Sequence, residues 1–255
     1  MSANWYSEAA LKIRDQRFLF MNHGYWEPTT TTTSSEEPGA YAHILSEALV
    51  LKVLGDLPPP GARILDVGCG RGGACALLAR ETKAARVVGL DRCVEGVETC
   101  RQNVREARVE FVVGDAQALP FGDGSFERVL NLESAHGYPD RRAFFREVHR
   151  VLVPGGRFCY ADGVSPDTLA EQAADLAAAG LVLEGVEDIT QPVIEALVRS
   201  SDDRRAFFDS MIAAGSVDEA FAQRLCHGLT VTVPEIYRKG TLHYYVWSCH
   251  KPDGA

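Results

Sequence analysis

The chain has 255 residues, 46% of them hydrophobic and 24% charged, which is enough to build the core of one large domain. Its formal net charge of −9 argues against nucleic acid or an anionic membrane as a partner, and no apolar run is long enough to predict a transmembrane helix. The polar start, residues 1–17, does not have the pattern of a signal peptide. We therefore expect a cytoplasmic protein that acts on a small molecule.

The seven cysteines are scattered and form no C-x-x-C pair. This pattern predicts reduced, mostly buried thiols rather than a disulfide framework. The cysteines, His227 and His243 show no spacing typical of metal ligands, so we expect no metal site.

The first forty residues are irregular. An aromatic cluster, Phe18 to Trp26, leads into a Thr/Ser tract, Thr29 to Ser35, which is too polar for a core and is expected to form a mobile loop. Apolar residues then recur at helical spacing from Tyr41 to Leu57, where three prolines predict the helix end.

Strands and helices alternate in the middle of the chain. The strands are predicted at Arg63–Val67, Arg86–Leu90, Val109–Val113, Phe126–Leu132 and Arg157–Ala161. The helices between them are predicted at Ala74–Arg80, Cys93–Glu106 and Arg141–Val151, the last ended by Pro154-Gly-Gly156. Short apolar strands separated by helices indicate a parallel sheet covered on both faces.

The last third of the chain departs from this alternation. It is predicted to contain a helix at Asp167–Ala179, a strand at Leu181–Val186, a helical block from Gln191 to about Gly240 and a strand at Thr241–Ser248. We therefore predict an α/β fold: a Rossmann-like, doubly wound, mostly parallel seven-stranded sheet with a helical cap inserted near the C-terminus. The predicted organisation is a lid segment at 1–40, the core at 41–190, the cap at 191–240 and the last strand at 241–255.

Candidate binding residues fall where strands end. The turn Asp66-Val-Gly-Cys-Gly-Arg-Gly-Gly73 follows the first strand, Asp91 closes the second, and Asp115 follows the third. Ligands of open parallel sheets bind at these strand ends, and the glycines let a ligand approach the backbone. A carboxylate at Asp91 can accept hydrogen bonds from both hydroxyls of a ribose.

The glycine turn alone is ambiguous. Gly68-x-Gly70-x-x-Gly73 matches the nicotinamide dinucleotide fingerprint, so an oxidoreductase remains an alternative. Asp66 favours another ligand, because a pyrophosphate prefers a neutral or positive loop whereas a carboxylate suits an ammonium and a sulfonium.

The complete set of motifs resembles the class I S-adenosylmethionine-dependent methyltransferases. In order, the motifs are Asp66 with Val67-Gly-Cys-Gly70, Gly89-Leu-Asp91, Gly114-Asp-Ala116, Leu119-Pro-Phe121, Ser125-Phe-Glu-Arg-Val129 and Glu147-Val-His-Arg-Val-Leu-Val-Pro-Gly-Gly156. The match extends from about Ala62 to Asp162. Asn22-His-Gly-Tyr-Trp26 and Glu133-Ser-Ala-His-Gly-Tyr-Pro-Asp140 resemble segments of methyltransferases that act in polyketide and other natural-product pathways.

The resemblance implies S-adenosylmethionine as the cofactor. It assigns Gly68 and Gly70 to the methionine portion, Asp91 to the ribose, Asp115 and Ala116 to the adenine, and Tyr25 to a lid over the cofactor. Further cofactor contacts are expected from Asp66, Cys69, Arg92, Gly114 and Glu133, although Glu133 could equally hold its loop. The predicted cap is shorter, and lies later in the chain, than the insertion after the fifth strand of some macrolide methyltransferases. The resemblance therefore does not identify the acceptor.

His136 is the candidate catalytic residue. It follows the fourth strand, and a histidine there suits removal of a proton from a hydroxyl acceptor; the alternative is a residue that packs on the cofactor or orients the substrate. We expect O-methylation of a hydrophobic small molecule, with C- or N-methylation or a non-methylating reaction such as a cyclisation as alternatives. His23 could face the active site from the lid, but a surface or loop-packing role is favoured. Asp162 could face the acceptor, but a role in capping the next helix is favoured. A methyltransferase-like scaffold without chemistry is the non-enzymatic alternative.

Overall fold

A computed structural model describes residues 8–9, 11–30 and 37–253. Most of the predicted Thr/Ser loop, residues 31–35, lies outside the described residues. The helix after this gap, α1, spans Ala40–Leu54 and ends at Gly55, before the predicted Leu57.

The core alternates strands and helices as predicted. Its elements are β1 (Arg63–Val67), α2 (Gly73–Glu81), β2 (Arg86–Asp91), α3 (Val94–Asn103), β3 (Val109–Val113), β4 (Phe126–Leu132), α4 (Arg141–Val151), β5 (Leu152–Val164), α5 (Leu169–Ala178) and β6 (Val182–Asp188). The chain then forms a helical insertion, residues 190–238, and returns to the sheet as β7 (His243–His250). The helical insertion contains α6 (Thr190–Arg199), α7 (Ser201–Ala213), α8 (Glu219–His227), a π-helical turn (Gly228–Thr232) and α9 (Val233–Arg238).

The seven strands form one sheet in the order β3-β2-β1-β4-β5-β7-β6. Strands β1 to β5 pair in parallel, and β7 runs antiparallel to both of its neighbours, β5 and β6. Apolar side chains cover both faces of the sheet, with Leu49 and Leu77 on one face and Phe144 and Phe158 on the other, all at most 1% exposed. The predicted Rossmann-like, mostly parallel sheet is confirmed.

Strand β5 differs from the prediction. It begins at Leu152 rather than Arg157, so Pro154-Gly-Gly156 lies inside the strand instead of forming a separate turn. The pairing with β4 steps from Phe126↔Leu152 to Arg128↔Arg157, so this part of β5 bulges away from the regular ladder. Its other end continues to Val164 because β7 pairs with it up to His243.

Two further observations concern membrane-spanning helices and the state of the cysteines and potential metal ligands. In the part of the chain that the structure describes, no helix has the length and apolar character needed to cross a bilayer. The seven cysteines are free thiols, and the described residues contain no cluster of His, Cys, Asp and Glu suited to a metal ion.

Candidate active site

One large cavity, about 790 Å³ in volume, opens above the carboxyl ends of the central strands. Its first half is lined by residues that follow β1, β2 and β3, including Gly68, Asp91 and Asp115. Its second half lies between His136 and the helical insertion. The cavity thus adjoins the position in the sheet where strand order reverses, the usual ligand site of such folds.

The glycine turn presents its backbone to the first half of the cavity. Gly68 and Gly70 have positive φ values of 78° and 55°, a conformation that residues with a Cβ rarely adopt. A Cβ at position 68 would come within 2.3 Å of Ser134 Oγ, so only glycine fits there without displacing its neighbours. The turn is anchored to β2, because Gly68 N donates to Leu90 O at 2.8 Å.

Two carboxylates face the same half. Asp91 accepts hydrogen bonds from Gly70 N at 3.0 Å and Cys93 N at 2.9 Å, and burial raises its pKa. Asp115 accepts a hydrogen bond from Gln117 N at 2.9 Å, which lowers its pKa. Each carboxylate oxygen can accept more than one hydrogen bond, so both residues can still receive donors from a ligand.

Most of the residues predicted from sequence meet in this cavity. Those that line it are Gly68, Gly70, Asp91, Arg92, Gly114, Asp115, Ala116, Glu133 and His136. Three other predicted residues, Tyr25, Asp66 and Cys69, are not among its described lining residues.

Tyr25, which is expected to belong to a lid over the cofactor, does not line the cavity in the structure. Tyr25 N donates to Leu45 O at 2.9 Å, its hydroxyl donates to Glu27 Oε2 at 3.3 Å, and its ring lies 5.6 Å from Lys52 Nζ. Tyr25 therefore packs against Leu45 and Lys52 of α1 and against Glu27.

Asp66 is another expected cofactor contact that does not line the cavity. Its carboxylate is 2% exposed beneath the glycine turn and accepts a hydrogen bond from Cys75 Sγ at 3.4 Å. Burial raises the pKa of Asp66 to about 7. It therefore supports the turn from the protein side, as does Cys69, which is 7% exposed.

His136 and Asp162 form a hydrogen-bonded pair in the cavity wall. His136 Nδ1 lies 2.8 Å from Asp162 Oδ1, and the His136 backbone N donates to Asp162 Oδ2 at 3.0 Å. Burial lowers the pKa of His136, but the hydrogen bond and charge of Asp162 raise it, and the net pKa lies above the ordinary value. The expected helix-capping role of Asp162 is wrong, because β5 continues past it and its side chain holds His136.

A second polar cluster lines the cavity beside this pair. Glu133 Oε1 accepts hydrogen bonds from His23 N at 2.9 Å and from the Tyr244 hydroxyl at 2.8 Å. His23 Nδ1 lies 3.2 Å from the Tyr237 hydroxyl, and the buried Arg204 donates to His23 O at 3.2 Å. Burial lowers the pKa of His23 to about 3, so His23 is neutral near pH 7.

The expectation of a surface or loop-packing His23 is corrected by this arrangement. The side chain is buried and contributes to the cavity wall. The sequence signal that pointed to a role for His23 in the site was its position within the motif Asn22-His-Gly-Tyr-Trp26. Tyr237 and Tyr244 carried no such signal, because their contacts to His23 and Glu133 join segments more than a hundred residues apart.

The second half of the cavity is mostly apolar. Its wall comes from residues of the helical insertion and the turn that follows it: Leu225, Leu229, Val233, Ile236 and Leu242. The three-to-four-residue spacing of the first four aligns them on one face of α8, the π-helical turn and α9. Such a wall favours an acceptor with substantial apolar surface.

Comparisons with known proteins agree with this geometry. Residues 65–160 match the family model described as a methyltransferase domain. The chain is 34% identical over 250 residues to the fatty-acid O-methyltransferase of Mycolicibacterium smegmatis, covering 97% of this chain and 88% of that protein. It is 35% identical over 252 residues to the phthiotriol/phenolphthiotriol dimycocerosates methyltransferase of Mycobacterium tuberculosis H37Rv, covering 98% and 91%.

Solved structures share the fold. The cyclase SpnF superposes with a TM-score of 0.74 at 20% identity, covering 98% of this chain and 95% of its own. The geranyl diphosphate C-methyltransferase of Streptomyces coelicolor A3(2) superposes with a TM-score of 0.69 at 21% identity, covering 98% and 96%. From the full-length sequence relatives, together with the motifs and the fold, the chain belongs to the class I methyltransferases that depend on S-adenosylmethionine.

Proposed function

We propose that this protein methylates an oxygen atom of a small hydrophobic acceptor, with His136 as the general base. The observation that carries the proposal is the 2.8 Å contact between His136 Nδ1 and Asp162 Oδ1 in the cavity wall. A neutral hydroxyl needs its proton removed as the new bond forms, and an imidazole oriented by a carboxylate is suited to that step.

The first half of the cavity fits the cofactor. The cofactor supplies a methyl group that its positive sulfonium already activates. The backbone at Gly68 and Gly70 forms a cradle that a side chain would fill, which suits the methionine portion. Asp91 would accept from the ribose hydroxyls, and Asp115 with Ala116 would hold the adenine.

His136 would act through its second ring nitrogen. Asp162 accepts a hydrogen bond from the N–H group at Nδ1 of His136, so Nε2 is the basic atom of the neutral imidazole. Because the pKa of His136 is raised, the neutral form that can act as a base increases as pH rises through that pKa. We therefore expect turnover to increase over the same interval.

The acceptor would lie under the helical insertion. The apolar side chains of Leu225, Leu229 and Ile236 favour a lipid-like or other hydrophobic molecule. Two full-length relatives are named for fatty acids and for dimycocerosates, which is consistent with such an acceptor. We assign the role of cap to residues 191–240, and the role of lid to the N-terminal segment because Met21, Asn22 and His23 line the cavity.

The test is a methyl-transfer assay with labelled S-adenosylmethionine and three acceptors: a long-chain fatty acid, a long-chain secondary alcohol and a phenol. Mass spectrometry and NMR of the product locate the methyl group. For His136→Ala we expect turnover of the alcohol and the phenol, whose hydroxyls are neutral, to fall by about 10²- to 10⁴-fold while cofactor affinity stays unchanged.

His149→Ala provides a matched control. His149 lies on α4 against Gly180, and burial lowers its pKa, but it is not among the residues that line the cavity. Its replacement should leave turnover unchanged. Full turnover by His136→Ala would remove the base assignment, and a methyl group on carbon or nitrogen would remove the assignment of oxygen.

A further inference from the structure

Glu133 occupies an unusual position at the end of β4. It is the one non-glycine residue with positive φ, 52°, in the part of the chain that the structure describes. A long side chain in this conformation costs free energy, so the surrounding contacts must impose it. The side chain is 12% exposed and lines the cavity between the glycine turn and His136.

The next residue, Ser134, and the backbone N of Glu133 connect Glu133 to both halves of the site. Ser134, the next residue, is the side chain that would collide with a Cβ at Gly68. On the other side, Glu133 N donates to Ala161 O on β5 at 2.9 Å, next to Asp162. Glu133 is therefore close to the region in which the cofactor half meets the acceptor half.

Titratable and charged groups face Glu133 from every element packed around it. They are His23 of the N-terminal segment, His136 of the turn after β4, Asp162 of β5, Arg204 of α7, Tyr237 of α9 and Tyr244 of β7. The hydrogen bonds from His23 N and Tyr244 come from neutral donors, and Arg204 donates to His23 O and Ser200 Oγ.

These neighbours do not offset the cost of burying a carboxylate. Burial raises the pKa of Glu133 to about 7, although the hydrogen bonds from His23 and Tyr244 lower it. A positive charge brought into the cavity would stabilise the ionised form, because charges interact strongly where water is excluded.

We propose that Glu133 recognises the positive sulfonium of S-adenosylmethionine and thereby distinguishes the cofactor from the product S-adenosylhomocysteine, whose sulfur is uncharged. The two ligands share their nucleoside and amino-acid portions, so the difference is concentrated at the sulfur. Binding of the cofactor releases the proton of Glu133 to solvent. Once the methyl group has left, the carboxylate faces a neutral sulfur, which weakens product binding.

The test measures binding alone and needs no acceptor, so its result is independent of the proposed O-methylation. Both ligands are titrated calorimetrically into the intact protein at about pH 6 and about pH 8, and at about pH 7 in two buffers that differ in ionisation enthalpy. We expect the preference for S-adenosylmethionine to increase about five- to tenfold between the lower and the higher pH. At about pH 7 a fraction of a proton should be released with S-adenosylmethionine and none with S-adenosylhomocysteine.

Three variants identify the residue responsible. Glu133→Gln should lose both the pH dependence and the proton release, whereas Glu133→Asp should keep both. Asp175→Asn is a matched control, because Asp175 of α5 is also a buried carboxylate, paired with Arg141 and Arg142, but does not line the cavity. It should behave like the parent protein.

Several outcomes would overturn the proposal. They are a pH-independent preference in the parent protein, equal proton release with both ligands, persistence of the effect in Glu133→Gln, or its loss in Asp175→Asn. If Glu133→Gln does not fold, the parent protein and Glu133→Asp still decide the question through the proton release.

Discussion

Replacing Asp66 by Asn should make the folded protein more stable at alkaline pH. Asp66 is 2% exposed, and burial raises its pKa from 3.8 to about 7. Between these values the unfolded chain has released the proton while the folded chain retains it, so the free energy of unfolding falls as pH rises. Above pH 7 the total loss from this one group is about 4 kcal/mol.

Other buried groups change the pH dependence of the parent protein, so the comparison must be between variant and parent. Glu133, whose pKa is raised to about 7, contributes in the same direction. His23, whose pKa is lowered to about 3, contributes in the opposite direction, because the unfolded chain binds its proton at a higher pH than the folded chain. Both contributions cancel when Asp66→Asn is compared with the parent.

Urea unfolding monitored by tryptophan fluorescence measures the difference, since Trp247 is fully buried in the sheet. The stability advantage of Asp66→Asn should grow by about 2 kcal/mol between about pH 5.5 and about pH 8.5. If the free energies of unfolding of the two proteins changed by the same amount with pH, Asp66 would ionise in the folded state without this cost, and the reasoning would be refuted.

Three further substitutions test other parts of the site. Gly68→Ala places a Cβ at a φ of 78° and 2.3 Å from Ser134 Oγ, and should weaken cofactor binding more than tenfold by calorimetry. Gly61→Ala, at a φ of 84° but facing open space, is the control for backbone strain alone. Equal cofactor binding by the two variants would contradict the expectation. Leu229→Trp should raise the KM for the acceptor and leave cofactor affinity unchanged, because Leu229 lines the half of the cavity under the helical insertion. A weaker cofactor affinity would show that the acceptor half has been assigned to the wrong part of the cavity. Arg204→Met removes the donor to His23 O and should reduce the free energy of unfolding by about 1–3 kcal/mol in urea, and an unchanged midpoint would show that the bond contributes nothing.

Local sequence was sufficient for the framework of the fold. Helix α4 has the predicted bounds because Asp140 caps it, accepting from Ala143 N at 2.9 Å, and because its apolar residues face the sheet. Strands β1, β3 and β4 also have the predicted bounds, since short apolar runs between turns indicate parallel strands. The glycines of the turn and the carboxylates at the strand ends could be placed for the same reason.

Contacts between distant segments decided the rest. Strand β5 extends beyond its predicted limits because β7, from the end of the chain, pairs with it, and this extension converts Asp162 from a presumed helix cap into the partner of His136. Likewise, Glu133 meets His23 and Tyr244 across more than a hundred residues in each direction. The periodicity of a sequence records which residues are buried, whereas the partners of a buried polar group are chosen by the packing of the whole chain, because each such group must find its hydrogen bonds wherever the fold brings donors and acceptors together.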